Sequence, residues 1–104
     1  MTKRVRILLI DDDERFLRSV SRSLVNQGYE AVTAASGRSG LARMREGMID
    51  LALVDWHLPD MNGAQVVVAL RGIDKTVGII AITGDATGNT GFQFLRAGAN
   101  RYFS

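Results

Sequence analysis

The chain has 104 residues, of which 46% are apolar and 23% are charged, and its formal net charge is +2. This size and balance indicate one small globular domain and exclude a disordered chain. The absence of cysteine excludes disulfides, thiolate metal sites and cysteine nucleophiles, and the basic residues form no cluster that would indicate nucleic acid binding.

The first predicted element is a strand from Val5 to Ile10, which ends at the acidic run from Asp11 to Glu14. Its residues are mostly apolar on both faces, which is typical of a central strand in a parallel sheet. The apolar part is too short for a signal peptide or a membrane-spanning helix. We therefore expect a cytoplasmic protein without a membrane partner.

Helix and strand patterns alternate along the rest of the chain. Apolar residues at helical spacing and capping residues such as Ser36 indicate helices, whereas short β-branched runs indicate strands. The predicted helices lie around 16–25, 36–47, 63–71 and 92–96, and the further strands at 30–34, 50–55, 77–82 and 101–104. This alternation predicts an α/β domain with a parallel sheet between layers of helices.

Acidic residues stand at the carboxyl ends of two predicted strands: Asp11, Asp12 and Asp13 follow the first, and Asp55 ends the third. Ligands of open parallel sheets bind at this edge. Two like charges 4 Å apart repel by roughly 4 kcal/mol at an effective dielectric of 20, so we expect the crevice to hold a cation. Hard oxygen ligands with room for water favour Mg²⁺. Any one of the acids also fits the alternative role of a helix cap.

A phosphate group suits the same edge, because helix N-termini follow these strands and offer N–H groups to anions. Asp55 is placed to act as a nucleophile that forms an aspartyl phosphate. Thr83 can donate its hydroxyl, and Gly84 leaves space beside it. Taken alone, Thr83 also fits a β-branched residue that ends a strand, and Asp55 fits an acid that begins a loop.

At these positions the sequence resembles the receiver domains of two-component response regulators. The segment Ile7–Asp13 resembles the family's first strand and acidic pair, and Leu53–Gly63 is similar to its phosphorylation-site segment, the most specific motif. Ile80–Ala86 resembles the switch-threonine segment, and Ala97–Ala99 followed by Tyr102 resembles the approach to the last strand. The four motifs occur in order over the whole chain, which argues against chance agreement.

The resemblance implies a three-layer α/β/α, flavodoxin-like (βα)5 fold with a five-stranded parallel sheet in the order 2-1-3-4-5. It implies that Asp55 accepts a phosphoryl group from the phosphohistidine of a sensor histidine kinase or phosphotransfer protein. The domain would then change conformation and regulate an output domain or a downstream protein. Such a domain is regulatory and is not a conventional enzyme.

The resemblance also implies roles for the other site residues. Asp12 and Asp55 would bind Mg²⁺ directly, Asp11 would act mostly through a metal-bound water, and the backbone carbonyl of His57 would supply a further ligand. The side chain of His57 would tune the lifetime of the phosphoryl group.

Four residues near the end of the chain complete the implied site. Thr83 would bond a phosphoryl oxygen, with Gly84 beside it, and Tyr102 would swing inward as Thr83 moves. Asp85 would tune the lifetime of the phosphoryl group together with the His57 side chain.

The sequence departs from the family at its C-terminal end. The family's lysine after the last strand would fall immediately after Ser104, and Lys3 and Lys75, the only lysines, are not placed to replace it. The helix that usually follows is missing as well. We therefore expect residues 1–104 to be a C-terminally incomplete receiver domain, from a truncated chain rather than a naturally reduced receiver. Apolar surface should be exposed beside the fifth strand, and stability should be reduced.

Two alternatives remain open on the sequence. Asp11, Asp13 and Thr83 partly match a haloacid-dehalogenase-like phosphatase, although Arg15 departs from that pattern and Asp55 is left unexplained. The other alternative is a receiver-like interaction module that takes no phosphate and docks through the first helix. Its candidate contact would be the arginine face formed by Arg15, Arg18 and Arg22.

Overall fold

The computed structural model describes residues 3–84 and 88–103. Strands and helices alternate along these residues. The strands are β1 (Arg6–Ile10), β2 (Glu30–Ala34), β3 (Leu51–Asp55), β4 (Gly78–Ile82) and β5 (Arg101–Phe103). The helices are α1 (Glu14–Asn26), α2 (Gly37–Arg45), α3 (Gly63–Ile73) and α4 (Asn89–Ala97).

All five strands are parallel and lie in the order β2-β1-β3-β4-β5, which confirms the predicted fold class. Strands β1, β3 and β4 each begin one residue later than predicted. The residues that lie just before them are Val5, Asp50 and Val77. Asp50 instead accepts a hydrogen bond from the Arg6 N–H through its Oδ2 atom, at 2.8 Å. Among the described residues, no helix is long and apolar enough to cross a membrane.

The alternation of side chains along β1 divides the core into two parts. Leu8 and Ile10 face α2, α3 and α4, where the larger cluster includes Val66 and Phe94. Ile7 and Leu9 face α1, where Leu17 is buried beside them. The sheet is apolar on both faces, as a parallel sheet covered by helices requires.

Helix caps fix the loops at the carboxyl edge of the sheet. Asp13 caps α1 by accepting from the N–H groups of Arg15 and Phe16, and Ser36 caps α2 in a reciprocal pair with Ser39. Asn62 and Gln65 form the same arrangement at the start of α3. These contacts satisfy N–H groups that have no partner within the helix.

The expected exposure of apolar surface beside the fifth strand is confirmed. Phe92 and Leu95 on α4 are 59% and 42% exposed, and Phe103 on β5 is 58% exposed. Val25, which the apolar spacing of the first predicted helix grouped with Leu17, Val20 and Leu24, is instead 54% exposed. Leu17, Val20 and Leu24 already form the face of α1 that meets the sheet, so Val25 lies off that face.

Candidate functional site

The carboxyl ends of β1 and β3 bring three carboxylates together. Ile10 pairs with Val54, so Asp11 and Asp55 follow on neighbouring strands. One oxygen atom from each of Asp11, Asp12 and Asp55 lies within 4.8 Å of the others. Among residues 3–84 and 88–103 there are two ion pairs, Arg6–Glu30 and Arg43–Glu46, and neither reaches this cluster. Within the part of the chain described, no ion pair therefore neutralises the acidic crevice, although the charge of His57 slightly lowers the pKa of Asp55.

Burial and mutual repulsion raise the pKa of two carboxyl groups in this crevice, Asp55 and Asp11. Burial raises the pKa of Asp55 to about 6, and the charges of Asp11 and Asp12 act in the same direction. The pKa of Asp11 is also raised, first by burial and then by Asp12 and Asp13, against a hydrogen bond from the Asp13 N–H. A bound cation would reverse this cost, and three carboxylates fit the oxygen-ligand preference of Mg²⁺.

Asp13 does not join the crevice, although it follows the same strand. Its Oδ1 atom accepts from the N–H groups of Arg15 and Phe16, at 3.0 and 3.2 Å. The capping alternative considered for one acid of the run therefore holds for Asp13. The Asp11-x-Asp13 pair of the phosphatase alternative is thereby divided between two different roles.

The loop after β3 is held in place at both of its ends. His57 forms an isolated bridge with Asn62, and the Gly63 N–H donates to the Trp56 carbonyl at 2.9 Å. Gly63 has no room for a side chain, because a Cβ there would crowd the Asp55 carbonyl and the Phe94 ring. The His57 side chain is exposed, and the role of its backbone carbonyl as a metal ligand stays a prediction.

Asp60 ties this loop to the N-terminus of α2, which the sequence analysis missed. Its two carboxylate oxygens accept from the N–H groups of Gly37 and Arg38, both at 2.8 Å. These hydrogen bonds lower the pKa of Asp60. The contact spans more than twenty residues, so no local pattern could have revealed it.

Thr83 follows β4 directly and is only 2% exposed. Its N–H donates to the Phe103 carbonyl at 2.9 Å, and its Oγ1 atom lies 2.5 Å from Oγ1 of Thr90. Next to it, Gly84 is exposed, and no atom of the described residues lies within 4 Å of the position a Cβ would take. The role of Gly84 stays a prediction, and Thr90 is a neighbour of Thr83 that the sequence analysis missed.

Two aromatic residues connect this edge of the sheet to α4. Trp56 meets Phe94 edge to face, with ring centroids 5.3 Å apart and planes at 81°. Tyr102, on β5, packs its ring against Gly91 so closely that a methyl group there would overlap it. Tyr102 is 36% exposed, and its predicted inward movement is not tested by this arrangement. Asp85, predicted to tune phosphoryl lifetime, lies outside the described residues.

Comparison with protein families matches residues 7–104 to the response regulator receiver domain. The transcriptional regulatory protein PrrA of Mycobacterium tuberculosis is 33% identical over 97 residues, which are 93% of this chain and 42% of that protein. The chain therefore spans less than half the length of that relative.

Solved structures show the same likeness. The crystal structure of a CheY-like response regulator receiver domain protein from Methanospirillum hungatei has a TM-score of 0.92 and 35% identity, covering 97% of this chain and 81% of that one. A response regulator from Burkholderia pseudomallei has a TM-score of 0.89 and 28% identity, covering 94% of this chain and 58% of that one. That structure was solved with a phosphorylated aspartic acid, a calcium ion and citrate.

Proposed function

Because this chain belongs to the response regulator receiver domain family of two-component phosphorelay signalling, we propose that Asp55 is its phosphoacceptor. The observation that supports the assignment is the position of Asp55 at the end of β3, within 4.8 Å of Asp11 and Asp12 through carboxylate oxygens. Receiver domains are regulatory, and we propose that this one has no catalytic activity beyond its own phosphorylation and dephosphorylation. The donor would be a sensor histidine kinase or a phosphotransfer protein.

In the proposed reaction, an Asp55 carboxylate oxygen forms a bond to phosphorus as the bond from phosphorus to the donor imidazole nitrogen breaks. The imidazole leaves with its electron pair and takes a proton from water. Asp55 must be ionised to act, so its raised pKa should lower the reactive fraction of the metal-free protein as the pH falls through about 6. The Thr83 hydroxyl would donate to a phosphoryl oxygen, and Gly84 leaves room for that group.

Asp11, Asp12 and Asp55 would hold Mg²⁺, together with the backbone carbonyl of His57. When bound, the ion supplies positive charge that offsets the charge on the phosphoryl oxygens. The donor set fits this ion, since the pKa values of Asp11 and Asp55 are raised and the three carboxylates make no ion pair within residues 3–84 and 88–103. The cytoplasmic location and the incomplete C-terminus stay predictions.

Intact mass measurement tests the proposed phosphorylation. The protein is treated with acetyl phosphate and Mg²⁺, and we expect a gain of one phosphoryl group that is lost in Asp55→Asn. Asp74→Asn is a matched control, because Asp74 bonds Thr76 in a turn remote from the crevice and its variant should still gain the group. Absence of any gain, repeated on a chain extended past Ser104, would contradict the proposal and favour the non-phosphorylated interaction module.

Fluorescence of Trp56 tests the metal site separately. Trp56 directly follows Asp55, so Mg²⁺ binding should change its emission. Asp12→Ala should weaken the apparent affinity for Mg²⁺ by about tenfold or more, since one of three ligands is removed. An equal response in Asp12→Ala and in the unmodified chain would count against Asp12 as a ligand.

A further inference from the structure

The contact between Thr83 and Thr90 joins the proposed phosphoryl site to the first turn of α4. Thr90 is the second residue of α4, and the two Oγ1 atoms are 2.5 Å apart. Thr83 is buried and Thr90 is partly buried, so the pair is well shielded from water. A hydroxyl–hydroxyl hydrogen bond in such surroundings selects a particular side-chain rotamer of each residue.

The first turn of α4 also contacts Tyr102, which the receiver resemblance predicts to move together with Thr83. Gly91, next to Thr90, lies directly beneath the ring of Tyr102. One turn of helix therefore touches both residues that the receiver resemblance assigns to switching. The contact with Thr90 has so far been given no role in the proposed function.

We propose that Thr90 is a positioning residue that holds the Thr83 hydroxyl in the resting protein, and that Thr83 exchanges this partner for a phosphoryl oxygen. This inference rests on the function proposed above. Either hydroxyl of the pair could be the donor. The proposed exchange requires that Thr83 is the donor in the resting protein, because a hydroxyl has only one proton to donate. When Thr83 donates it to the phosphoryl oxygen, it cannot also donate to Thr90, so the link to α4 is weakened as the site is filled.

The exchange lowers the affinity of the resting protein for a phosphoryl group, since one hydrogen bond must be given up for another. A hydrogen bond between neutral groups contributes about 0.5–1.5 kcal/mol net, which corresponds to about two- to tenfold in an equilibrium constant. Removal of the Thr90 hydroxyl should therefore strengthen binding at the Asp55 site by about two- to tenfold. A residue with a purely structural role would weaken binding or leave it unchanged when altered.

The test uses beryllofluoride, a phosphoryl mimic, titrated at saturating Mg²⁺ and followed by Trp56 fluorescence. Thr90→Val keeps the shape but removes the hydroxyl, and we expect its Kd to fall by about two- to tenfold. Thr90→Ser keeps a hydroxyl and should bind like the unmodified chain. In a Thr83→Ala background, Thr90→Val should have no effect, because the partner is already absent.

Three results would overturn the inference. These are an unchanged or weaker affinity in Thr90→Val, an equal gain in Thr90→Ser, and a gain that persists in the Thr83→Ala background. If Thr90→Val does not fold, Thr90→Ala replaces it with the same expected direction.

Failure of the proposed function gives a different result, namely no beryllofluoride binding by the unmodified chain. The Thr83–Thr90 contact is then still tested by NMR, through the three-bond couplings that report the χ1 rotamer of Thr83. We expect the couplings of one Thr83 rotamer in the unmodified protein and altered couplings in Thr90→Val. Averaging in both proteins would contradict the contact itself.

Discussion

The charged groups at the two ends of the sheet differ: carboxylates repel one another at one end, and a guanidinium is paired with several acceptors at the other. At the carboxyl end, Asp11, Asp12 and Asp55 bring like charges together, and burial raises the pKa values of Asp11 and Asp55. At the amino end, the single guanidinium of Arg71 donates to four oxygen atoms.

The Arg71 contacts join α3 to two loops, the one between α3 and β4 and the one between α4 and β5. Its acceptors are the carbonyl oxygens of Gly98, Lys75 and Val77 and the Oδ1 atom of Asn100, which also accepts from the Ile79 N–H at 2.8 Å. Arg71 therefore stabilises the amino end of the sheet, whereas the carboxyl end gathers carboxylates that repel one another. A cluster whose members oppose one another is expected where a ligand completes the arrangement.

The largest effect should come from Arg71→Ala at the amino end. Loss of a charged donor that serves four oxygen atoms should lower the free energy of unfolding by about 2–4 kcal/mol. Chemical denaturation measures this change. Arg96→Ala, an exposed arginine in the last turn of α4, is the matched control and should change stability by less than about 0.5 kcal/mol. If the two substitutions changed stability equally, the Arg71 hydrogen bonds would not be a special source of stability at the amino end.

The second prediction concerns the pH dependence of cation binding at the carboxyl end. Protons and Mg²⁺ compete for Asp55, whose pKa is raised to about 6. The ionised fraction of Asp55 falls about tenfold between pH 7 and pH 5, and the apparent Mg²⁺ affinity should fall by the same factor. Titrations followed by Trp56 fluorescence at several pH values check this, and Asp55→Asn should lack the transition near pH 6. If the Mg²⁺ affinity did not change between pH 7 and pH 5, that result would be evidence against Asp55 as a ligand.

The third prediction is that removing a charge from the crevice stabilises the metal-free protein. Asp55→Asn should raise the free energy of unfolding at pH 7 by about 1 kcal/mol, a value reduced to allow for solvent screening. The raised pKa means that the folded chain holds its proton more tightly than the unfolded chain does. This contribution to stability is therefore complete below pH 3.8, the ordinary pKa, and is lost as the pH rises through about 6.

Thermal denaturation with and without Mg²⁺ checks the third prediction. Saturating Mg²⁺ should stabilise the unmodified chain more than Asp55→Asn, because the ion offsets the repulsion only where the charges are present. A lower stability of metal-free Asp55→Asn would show that the cluster is not a source of strain.

The smallest effect should come from Asp60, an acid near the carboxyl end that has N–H partners instead of carboxylate neighbours. Asp60→Asn loses one acceptor for the N-terminus of α2, so it should destabilise the protein slightly, opposite in sign to Asp55→Asn. The pKa of Asp60 is lowered, so its contribution is present above pH 3.8 and is lost as the pH falls further. Denaturation midpoints at pH 7 and pH 3 measure it, and stabilisation by Asp60→Asn would contradict this reasoning.

The sequence was sufficient to predict the sheet and the acidic cluster. Buried strands such as β1 are visible as continuous apolar runs, and acids at their ends must meet if the strands are neighbours. The sequence did not show which acid of the run from Asp11 to Asp13 caps α1. Asp13 differs from Asp12 only in its position relative to the first turn of that helix.

The side-chain hydrogen bonds that hold loops to distant helices could not be predicted. The bonds of Asp60 to α2 and of Arg71 to Gly98 and Asn100 join residues more than twenty positions apart. The Thr83–Thr90 pair is only seven residues apart, yet it depends on how the chain re-enters α4 after β4. Such contacts follow from tertiary packing, which local periodicity does not report.

The hydrogen bond from Arg71 to Gly98 holds one end of α4 in place and leaves the motion of the helix, if any, to its other end. Gly98 caps the C-terminal end of α4, so the arginine fixes that end to α3 as a pivot. Thr90 lies eight residues away, at the opposite end, which is about 12 Å along the helix axis at about 1.5 Å per residue. A movement of about 1 Å at Thr90 would therefore tilt the whole helix by about 5°. The exposed side chains of Phe92 and Leu95 would be carried along that arc, so a small displacement at the buried hydroxyl would be displayed on the protein surface.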